Sequence, residues 1–339
     1  MLKLSEFDYP FPKELIAQHP LENREEARLL IVNRQSGKIT HGVFKDVESF
    51  FKEKDLLVLN DTKVLHCRLM GNKKTGGRVE ILLTRRLNGS TFSCLVQPSR
   101  TKVGEKIIFA GGKISGVLSS RGQISFKQSD ADIIYNYGVV PLPPYIKREP
   151  VEADKINYQT VYAKNEGALA SPTAGLHFTQ DLLKDISAQG VNLAYVTLHV
   201  GLGTFRPVRT ENIAEHKMEP EYFQVPDETI AKLKQVKVDK GRIIAVGTTA
   251  LRTLETYAEG RKEGNTDLFI YPGYKFKLVD CLLTNFHLPM TTLFMLVCAF
   301  CAAGASASGG GMELMKRAYQ EAVEKKYRFY SYGDAMLII

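Results

Sequence analysis

The chain has 339 residues, 44% hydrophobic and 24% charged, with a net charge of +8, five cysteines and no tryptophan. That balance excludes a disordered or collagen-like chain and supplies core for one large domain or two unequal ones. The opening MLKLSEFDYPFP has no basic-then-apolar leader, the longest apolar run (Leu293 to Ala303) is too short to span a bilayer, and an odd cysteine count closes no disulfide framework; a cytoplasmic protein with free thiols and no membrane contact is expected.

Two strand-like runs come first, RLLIVN (28–33) and KDLLVLND (54–61). The pattern then changes. From Leu65 to Pro150 there are fourteen Lys/Arg against five Asp/Glu, so this segment carries +9 and the rest of the chain −1. Its runs RVEILLTRRL, TFSCLVQPS, EKIIFAG, GKISGVLSS and QISFKQS are short, β-rich and separated by Gly, Asn and Ser turns, which predicts a small antiparallel barrel or sandwich. It ends at the proline-rich PLPPY (141–145). Clustered cations are the electrostatic footprint of a nucleic-acid-binding face, and they also fit a solvated surface with no polyanionic partner. Candidate phosphate contacts are Arg68, Lys73, Lys74, Arg78, Arg85, Arg86, Arg100 and Lys102. Strict alternation along a strand would send Arg85 and Arg86 to opposite sides.

Beyond the basic segment strands alternate with helices. A helix is predicted from Gln180, with Thr179 as N-cap, Leu182, Leu183 and Ile186 on its apolar face and Gly190 as its stop. Strand VNLAYVTLHV follows, then a helix from about Asp227. Strand GRIIAVG runs through Thr248 and Thr249 into helix ALRTLETYAEG; strand KLVDCLLTNF leads through HLP into an apolar helix; RFYSYGDAMLII closes the chain as a strand. The predicted fold is a discontinuous α/β large domain, residues 1–64 and 151–339, with a small all-β barrel inserted at 65–150.

In such sheets ligands collect where strands end and helices begin. Four polar, glycine-bearing junctions stand out: SPTAGLHFT (171–179), LHVGLGTF (198–205), VGTTALRTLE (246–255) and LTNFHLP (283–289). They supply His177, His199 and His287 as candidate proton-transfer groups, each of which also fits a ring that merely satisfies a packed loop. Thr173, Gly175, Gly201, Gly203, Thr204, Phe205, Thr248, Thr249, Arg252, Asn285 and Phe286 are candidate ligand contacts from the same loops. The Gly201-Leu-Gly203 pair lacks the third glycine of a dinucleotide fingerprint, because Arg206 stands there. Gly304 to Gly309 has phosphate-loop spacing without the Lys-Ser/Thr, so GASASGGG (304–311) reads as a flexible connector. Cys298-x-x-Cys301 can be combined with Cys281 and His287 into a zinc set on paper, yet both cysteines lie in an apolar helix where thiols pack as small hydrophobes, and no metal is expected.

Taken in order, FDYPFPKELIAQHP, LNDTKVLHCRL, PLPPYIKR, ASPTAGLHFT, LHVGLGTFRPV, GTTALRTLE, FIYPGYKFKLVDCLLTNFHLP and YRFYSYGDAMLI resemble the S-adenosylmethionine:tRNA ribosyltransferase-isomerase (QueA) family of queuosine biosynthesis over essentially the whole chain. The cysteine pair and the long GASASGGG segment depart from that pattern. The resemblance implies a large α/β domain with a small β-barrel, acting as a monomer on S-adenosylmethionine and tRNA. The ribosyl group would pass to 7-aminomethyl-7-deazaguanine at the wobble position, giving epoxyqueuosine, adenine and methionine, with no cofactor beyond the co-substrate. It makes the three histidines candidate acids and bases and Thr204, Thr248 and Thr249 orienting hydroxyls. Asp280 becomes a candidate for a ribose hydroxyl or the methionine ammonium, Arg252 for the methionine carboxylate or a phosphate, and Phe205 and Phe286 for stacking on a base. A nucleoside hydrolase using the same histidines would need no tRNA, and an RNA-binding module would release no adenine.

Overall fold

Strands covered on both faces read as unbroken apolar runs, because successive side chains point to opposite cores. The structure, a computed structural model, describes residues 2–201, 203, 208–303 and 310–339. Strands β1 (Arg28–Val32), β2 (Ile39–Val43), β3 (Leu56–Asn60) and β4 (Thr62–Val64) precede six more: β5 (Arg68–Lys73), β6 (Arg78–Arg86), β7 (Thr91–Gln97), β8 (Lys106–Phe109), β9 (Ile114–Ser120) and β10 (Gln123–Phe126). Short helices α1 (Gln128–Ile133) and α2 (Asp154–Asn157) follow, then β11 (Asn165–Ala168), α3 (Gln180–Ala188), β12 (Asn192–Leu198), β13 (Glu221–Gln224), α4 (Asp227–Val238) and β14 (Ile243–Val246). The chain finishes with α5 (Gly247–Ala258), β15 (Glu263–Thr266), β16 (Cys281–Asn285), α6 (Thr292–Ala302), α7 (Gly310–Glu324) and β17 (Ala335–Ile338).

Nine strands form one mixed sheet in the order β15-β13-β12-β3-β14-β16-β17-β1-β2. Its centre, β12, β3, β14 and β16, is parallel, while β17 returns antiparallel to β16. Alternation sorts the side chains into two cores. Leu56 and Val58 of β3 and Ile243 and Ala245 of β14 face the core shared with α5, α6 and α7. Leu57, Leu59, Ile244 and Val246 face the opposite core with Leu182, Leu183 and Ile186 of α3. Thr179 caps α3 as its sequence predicts, accepting from the Leu182 backbone N–H at 3.1 Å.

The basic segment contributes a closed six-stranded barrel, β10-β7-β6-β5-β8-β9, so the α/β-plus-barrel architecture expected from the sequence is the observed one. Its interior is crowded enough to require glycine twice. A Cβ on Gly71 would come within 2.7 Å of the Phe109 ring, and one on Gly116 within 2.8 Å of Phe126. A register shift between Leu83 and Arg85, opposite Cys94 and Ser93, breaks the alternation of β6, so Arg85 and Arg86 are both exposed. Strict alternation is therefore the wrong expectation for this pair, and the bulge is the reason.

Three local features depart from the sequence reading. Helix α5 begins at Gly247, which places Thr248 and Thr249 in its first turn instead of ahead of it. Only Ala335–Ile338 of the closing RFYSYGDAMLII pairs as a strand, leaving Tyr330 to Asp334 as a loop at the sheet edge. Of the GASASGGG segment, 304–309 lie outside the described residues, while Gly310 and Gly311 open α7. Gly311 crosses α6 so closely that a Cβ there would stand 2.1 Å from the Ala302 Cα.

Candidate active site

The carboxyl ends of the parallel strands converge on one edge of the sheet, and a cleft opens there. Strand β14 delivers Gly247, Thr248 and Thr249; β16 delivers Thr284, Asn285, Phe286 and His287; the segment after β11 delivers Ser171 and Thr173. No Asp, Glu, Lys or Arg is among the described lining residues. The polar character is supplied by hydroxyls, one amide and one imidazole. The hydroxyls of Ser171 and Thr249 have no hydrogen-bond partner among the described residues, although both are shielded from solvent. The N-cap residue of α5, Val246, makes no side-chain cap, and the first turn of the helix, Gly247 to Thr249, lines the cleft, so the positive end of its dipole faces there.

His287 is buried, with Nε2 3.0 Å from the Thr284 hydroxyl; its carbonyl accepts from the Tyr9 hydroxyl and its backbone N–H donates to Tyr319. Burial pulls this imidazole down to about 3. His177 lies just behind the lining. Its Nε2 is 3.2 Å from the Asn285 amide nitrogen, and its ring packs on Phe44 with centroids 4.8 Å apart. Burial lowers His177 to about 4, opposed by a hydrogen bond to the Arg24 backbone. Both rings are therefore neutral at physiological pH.

The third histidine is elsewhere on the same edge. His199 Nδ1 is 2.7 Å from the Thr62 hydroxyl, and its ring stacks on Tyr222 at 5.5 Å. Burial lowers its pKa as well, with Asp61 opposing. Gly201 donates its N–H to Glu221 at 2.8 Å, and Gly203 passes close to Glu219. Thr204 and Phe205 lie outside the described residues. Gly175 is a packing position, because a Cβ there would sit 1.9 Å from the Tyr162 hydroxyl.

Two expected ligand contacts are placed away from the cleft. Arg252 is 3% exposed, ion-paired with Glu221 and donating through Nε to the Leu268 carbonyl at 3.0 Å. Asp280 precedes β16 at the opposite edge of the sheet, where it accepts from the Ile243 N–H at 2.8 Å. Each of these two side chains has a protein partner, although the Arg252 Nη2 is buried without one among the described residues. Phe286 is fully buried yet contributes to the lining, against a core of Tyr319, Tyr327 and Phe329. Cys298 and Cys301 are buried in α6, and burial pushes both thiols up, Cys301 to about 11. Among the described residues no cluster of three or more His, Cys, Asp or Glu is arranged to hold a metal.

The sequence reading missed the aromatic side of the cleft, formed by Tyr145, Tyr158, Tyr330 and Ser331. Its only signal was that PLPPY and YSYG put aromatic and hydroxyl groups beside turn-forming residues.

On the barrel, Arg68 donates to both Glu80 oxygens at 2.8 and 2.9 Å and lies 3.4 Å from Glu149, while Arg86 pairs with Asp132 at 2.6 Å. Lys74, Arg78, Arg85, Arg100 and Lys102 are exposed, Lys73 half-buried.

The family profile described as "Queuosine biosynthesis protein" matches residues 4–338. The chain belongs to that family. The S-adenosylmethionine:tRNA ribosyltransferase-isomerase of Sulfurihydrogenibium sp. is 50% identical with both chains fully covered, and that of Thermotoga maritima is 48% identical with the same coverage. The crystal structure of the Thermotoga maritima S-adenosylmethionine tRNA ribosyltransferase aligns over 98% of this chain and 100% of its own at 38% identity, with a TM-score of 0.57. This queuosine-family chain is accordingly an enzyme of the transferase-isomerase type, working on ribosyl transfer in queuosine biosynthesis. No helix among its described residues is long and apolar enough to cross a membrane.

Proposed function

We propose that the enzyme, as a monomer, moves the ribosyl moiety of S-adenosylmethionine onto the aminomethyl group of 7-aminomethyl-7-deazaguanine at the tRNA wobble position, releasing adenine and methionine and leaving epoxyqueuosine. The observation that carries this reading is the cleft at the strand ends: hydroxyl-rich, without a charged side chain among its described lining residues, with neutral His287 in its wall and neutral His177 behind it. A sulfonium cation is tolerated in such a place, since no cation is among its described lining residues, and neutral imidazole nitrogens can accept protons. The uncapped N-terminus of α5, with Thr248 and Thr249, suits the methionine carboxylate.

Each chemical stage asks for a positioned proton acceptor or donor. A base removes a proton from the 5′ carbon, which the adjacent sulfonium acidifies, giving an ylide. Adenine departs with a proton as the sugar opens; the acceptor amine adds and gives up its proton; the ylide carbon then closes the ring as methionine leaves. His177, His287 and His199 are the candidate proton carriers, the first two joined to the cleft through Asn285 and Thr284. The barrel cations supply the tRNA affinity. The test is incubation with S-adenosylmethionine, with and without tRNA bearing the deazaguanine precursor, following adenine, methionine and tRNA mass. Adenine released without tRNA indicates a hydrolase, and no adenine with the complete mixture rejects the transferase.

A further inference from the structure

The aromatic side of the cleft has an unusual construction. Tyr330 is a bulky residue in the left-handed region, with φ of +71°, a conformation that costs free energy unless its surroundings hold it. They do. Its N–H donates to the Phe286 carbonyl at 3.1 Å, and its carbonyl accepts from the Gly333 N–H at 2.9 Å. This turn sets the Tyr330 ring edge-to-face with Tyr145, centroids 3.9 Å apart, and brings the neighbouring Ser331 hydroxyl to 2.5 Å from the Tyr145 hydroxyl.

Tyr145 comes from the strap 141–149 that leads out of the barrel. While Tyr145 lines the cleft, its neighbours Pro143, Pro144 and Ile146 line a second groove whose far wall is Leu82, Leu95 and Gln97 of the barrel. One strap is therefore the partition between the two cavities. Arg148, donating to both Asp154 oxygens at 2.7 Å, pins its end to the α/β body. A single-stranded RNA lying in this groove, whose lining includes Arg68, Lys147 and Arg148, would reach the cleft across this strap, and an aromatic pair is the sequence-tolerant surface on which a flat base stacks.

We infer that Tyr145 and Tyr330 form the wall against which the RNA's acceptor base stacks when it is turned into the cleft, and that they fix its position rather than that of the adenine. This rests on the proposed tRNA-modifying reaction. Neither ring exchanges a proton with substrate; both are positioning residues.

The test measures KM and kcat for tRNA and for S-adenosylmethionine separately in Tyr330→Leu, Tyr330→Phe and Tyr145→Leu, by adenine release. Loss of a stacking partner should raise the tRNA KM about ten-fold or more. The S-adenosylmethionine KM should stay within about two-fold, and Tyr330→Phe should restore the wild-type tRNA value. A rise confined to the S-adenosylmethionine KM would assign the wall to adenine and overturn the inference, as would unchanged constants in both leucine variants. A measurement on unmodified protein guards against misfolded variants: tRNA carrying a photoreactive thiopurine at the acceptor position should crosslink to peptides containing Tyr145 or Tyr330. Crosslinking only to other peptides overturns the inference. If wild-type protein releases no adenine with both substrates, the reaction assignment falls and the wall falls with it; wild-type turnover with indifferent variants removes the wall alone.

Discussion

The Asn285 side chain donates to His177 Nε2 at 3.2 Å while its carbonyl accepts from the Thr173 hydroxyl at 2.8 Å. The Asp334 carbonyl, which can only accept, takes a bond from the same amide nitrogen at 3.4 Å and so fixes which end of the amide faces the ring; Nε2 is the acceptor and the His177 proton sits on Nδ1. A cleft hydroxyl is thereby connected through one amide to a neutral imidazole. If this chain of bonds moves or positions a proton, His177→Ala and Asn285→Ala should each lower kcat by about a hundred- to ten-thousand-fold with folding intact. Adenine-release kinetics with circular dichroism as control check this. Near-wild-type kcat in both variants would remove the relay.

The two cleft histidines also carry a stability signature. Burial lowers His177 from 6.5 to about 4 and His287 from 6.5 to about 3, so between those values and 6.5 the unfolded chain binds more protons than the folded one. Their contribution is complete above about pH 6.5 and is lost as pH falls through that window. The urea midpoint should accordingly drop between about pH 7 and about pH 4.5, and it should drop less in His287→Gln, whose side chain does not titrate. Equal drops in the two proteins would show that other groups control acid stability.

Arg252 and Glu221 form a buried ion pair, with side chains 4% and 3% exposed, that also fixes the Gly201 N–H. Removing the arginine leaves a carboxylate buried without it, a loss of about 3–5 kcal/mol. Arg252→Met should therefore show a large fall in urea stability, and the double variant Arg252→Met/Glu221→Gln should regain part of it. A ligand-binding arginine would behave differently, raising a substrate KM while barely changing stability.

The fold was legible where burial forces periodicity. LLVLN, IIAV and CLLTN announce a sheet covered on both faces, and the alternating barrel strands announce a closed β layer. The bulge at Arg85 was not legible, because a bulge depends on its partner strand. Nor was α7, whose amphipathic stretch begins at Gly310 and Gly311, residues that look like the end of a linker until the close crossing with α6 explains them. At the site, junction chemistry pointed to Thr248, Thr249, Asn285 and His287, since strand ends in such sheets face a common edge. Arg252 and Asp280 lie outside the described cleft lining for one physical reason: a charged side chain near a strand end says nothing about which edge or partner it meets. Tyr145 and Tyr330 come from segments 185 residues apart, and only the folded chain makes them neighbours.

The paired cysteines of α6 give a prediction about what the enzyme tolerates. Both are fully buried in the sheet-facing core, and Cys281 is buried against the opposite core. Cys298→Ala/Cys301→Ala should lower stability by a few kcal/mol at most, from lost packing, and leave KM values unchanged. Chelators should not change wild-type turnover. Stoichiometric zinc bound by wild-type and absent from the double variant would refute the packing role.

The barrel's charge divides into cations already engaged and cations that are not, and the two groups should answer differently to mutation. Arg68 is held by Glu80 and Glu149, and Arg86 by Asp132 and over the Phe92 ring at 5.4 Å. Lys74, Arg78, Arg85, Arg100 and Lys102 are exposed and carry no ion pair among the described residues, so their charge is available to phosphates at little cost. If tRNA lies on this face, alanine at Lys74, Arg78, Arg85, Arg100 or Lys102 should weaken binding for every tRNA sequence and reduce the log–log salt slope by about 0.7 to 0.9 per lost contact. Arg68→Ala should instead lower barrel stability, because Glu80 loses its bidentate partner, with less change in slope. S-adenosylmethionine binding should hold in all of them, since the cleft walls contain none of these residues. Filter or fluorescence titrations of tRNA at several salt concentrations, single and paired variants side by side, decide it. A slope that stays at the wild-type value in every exposed variant would mean that the +9 surface is merely solvated and that the tRNA is held elsewhere.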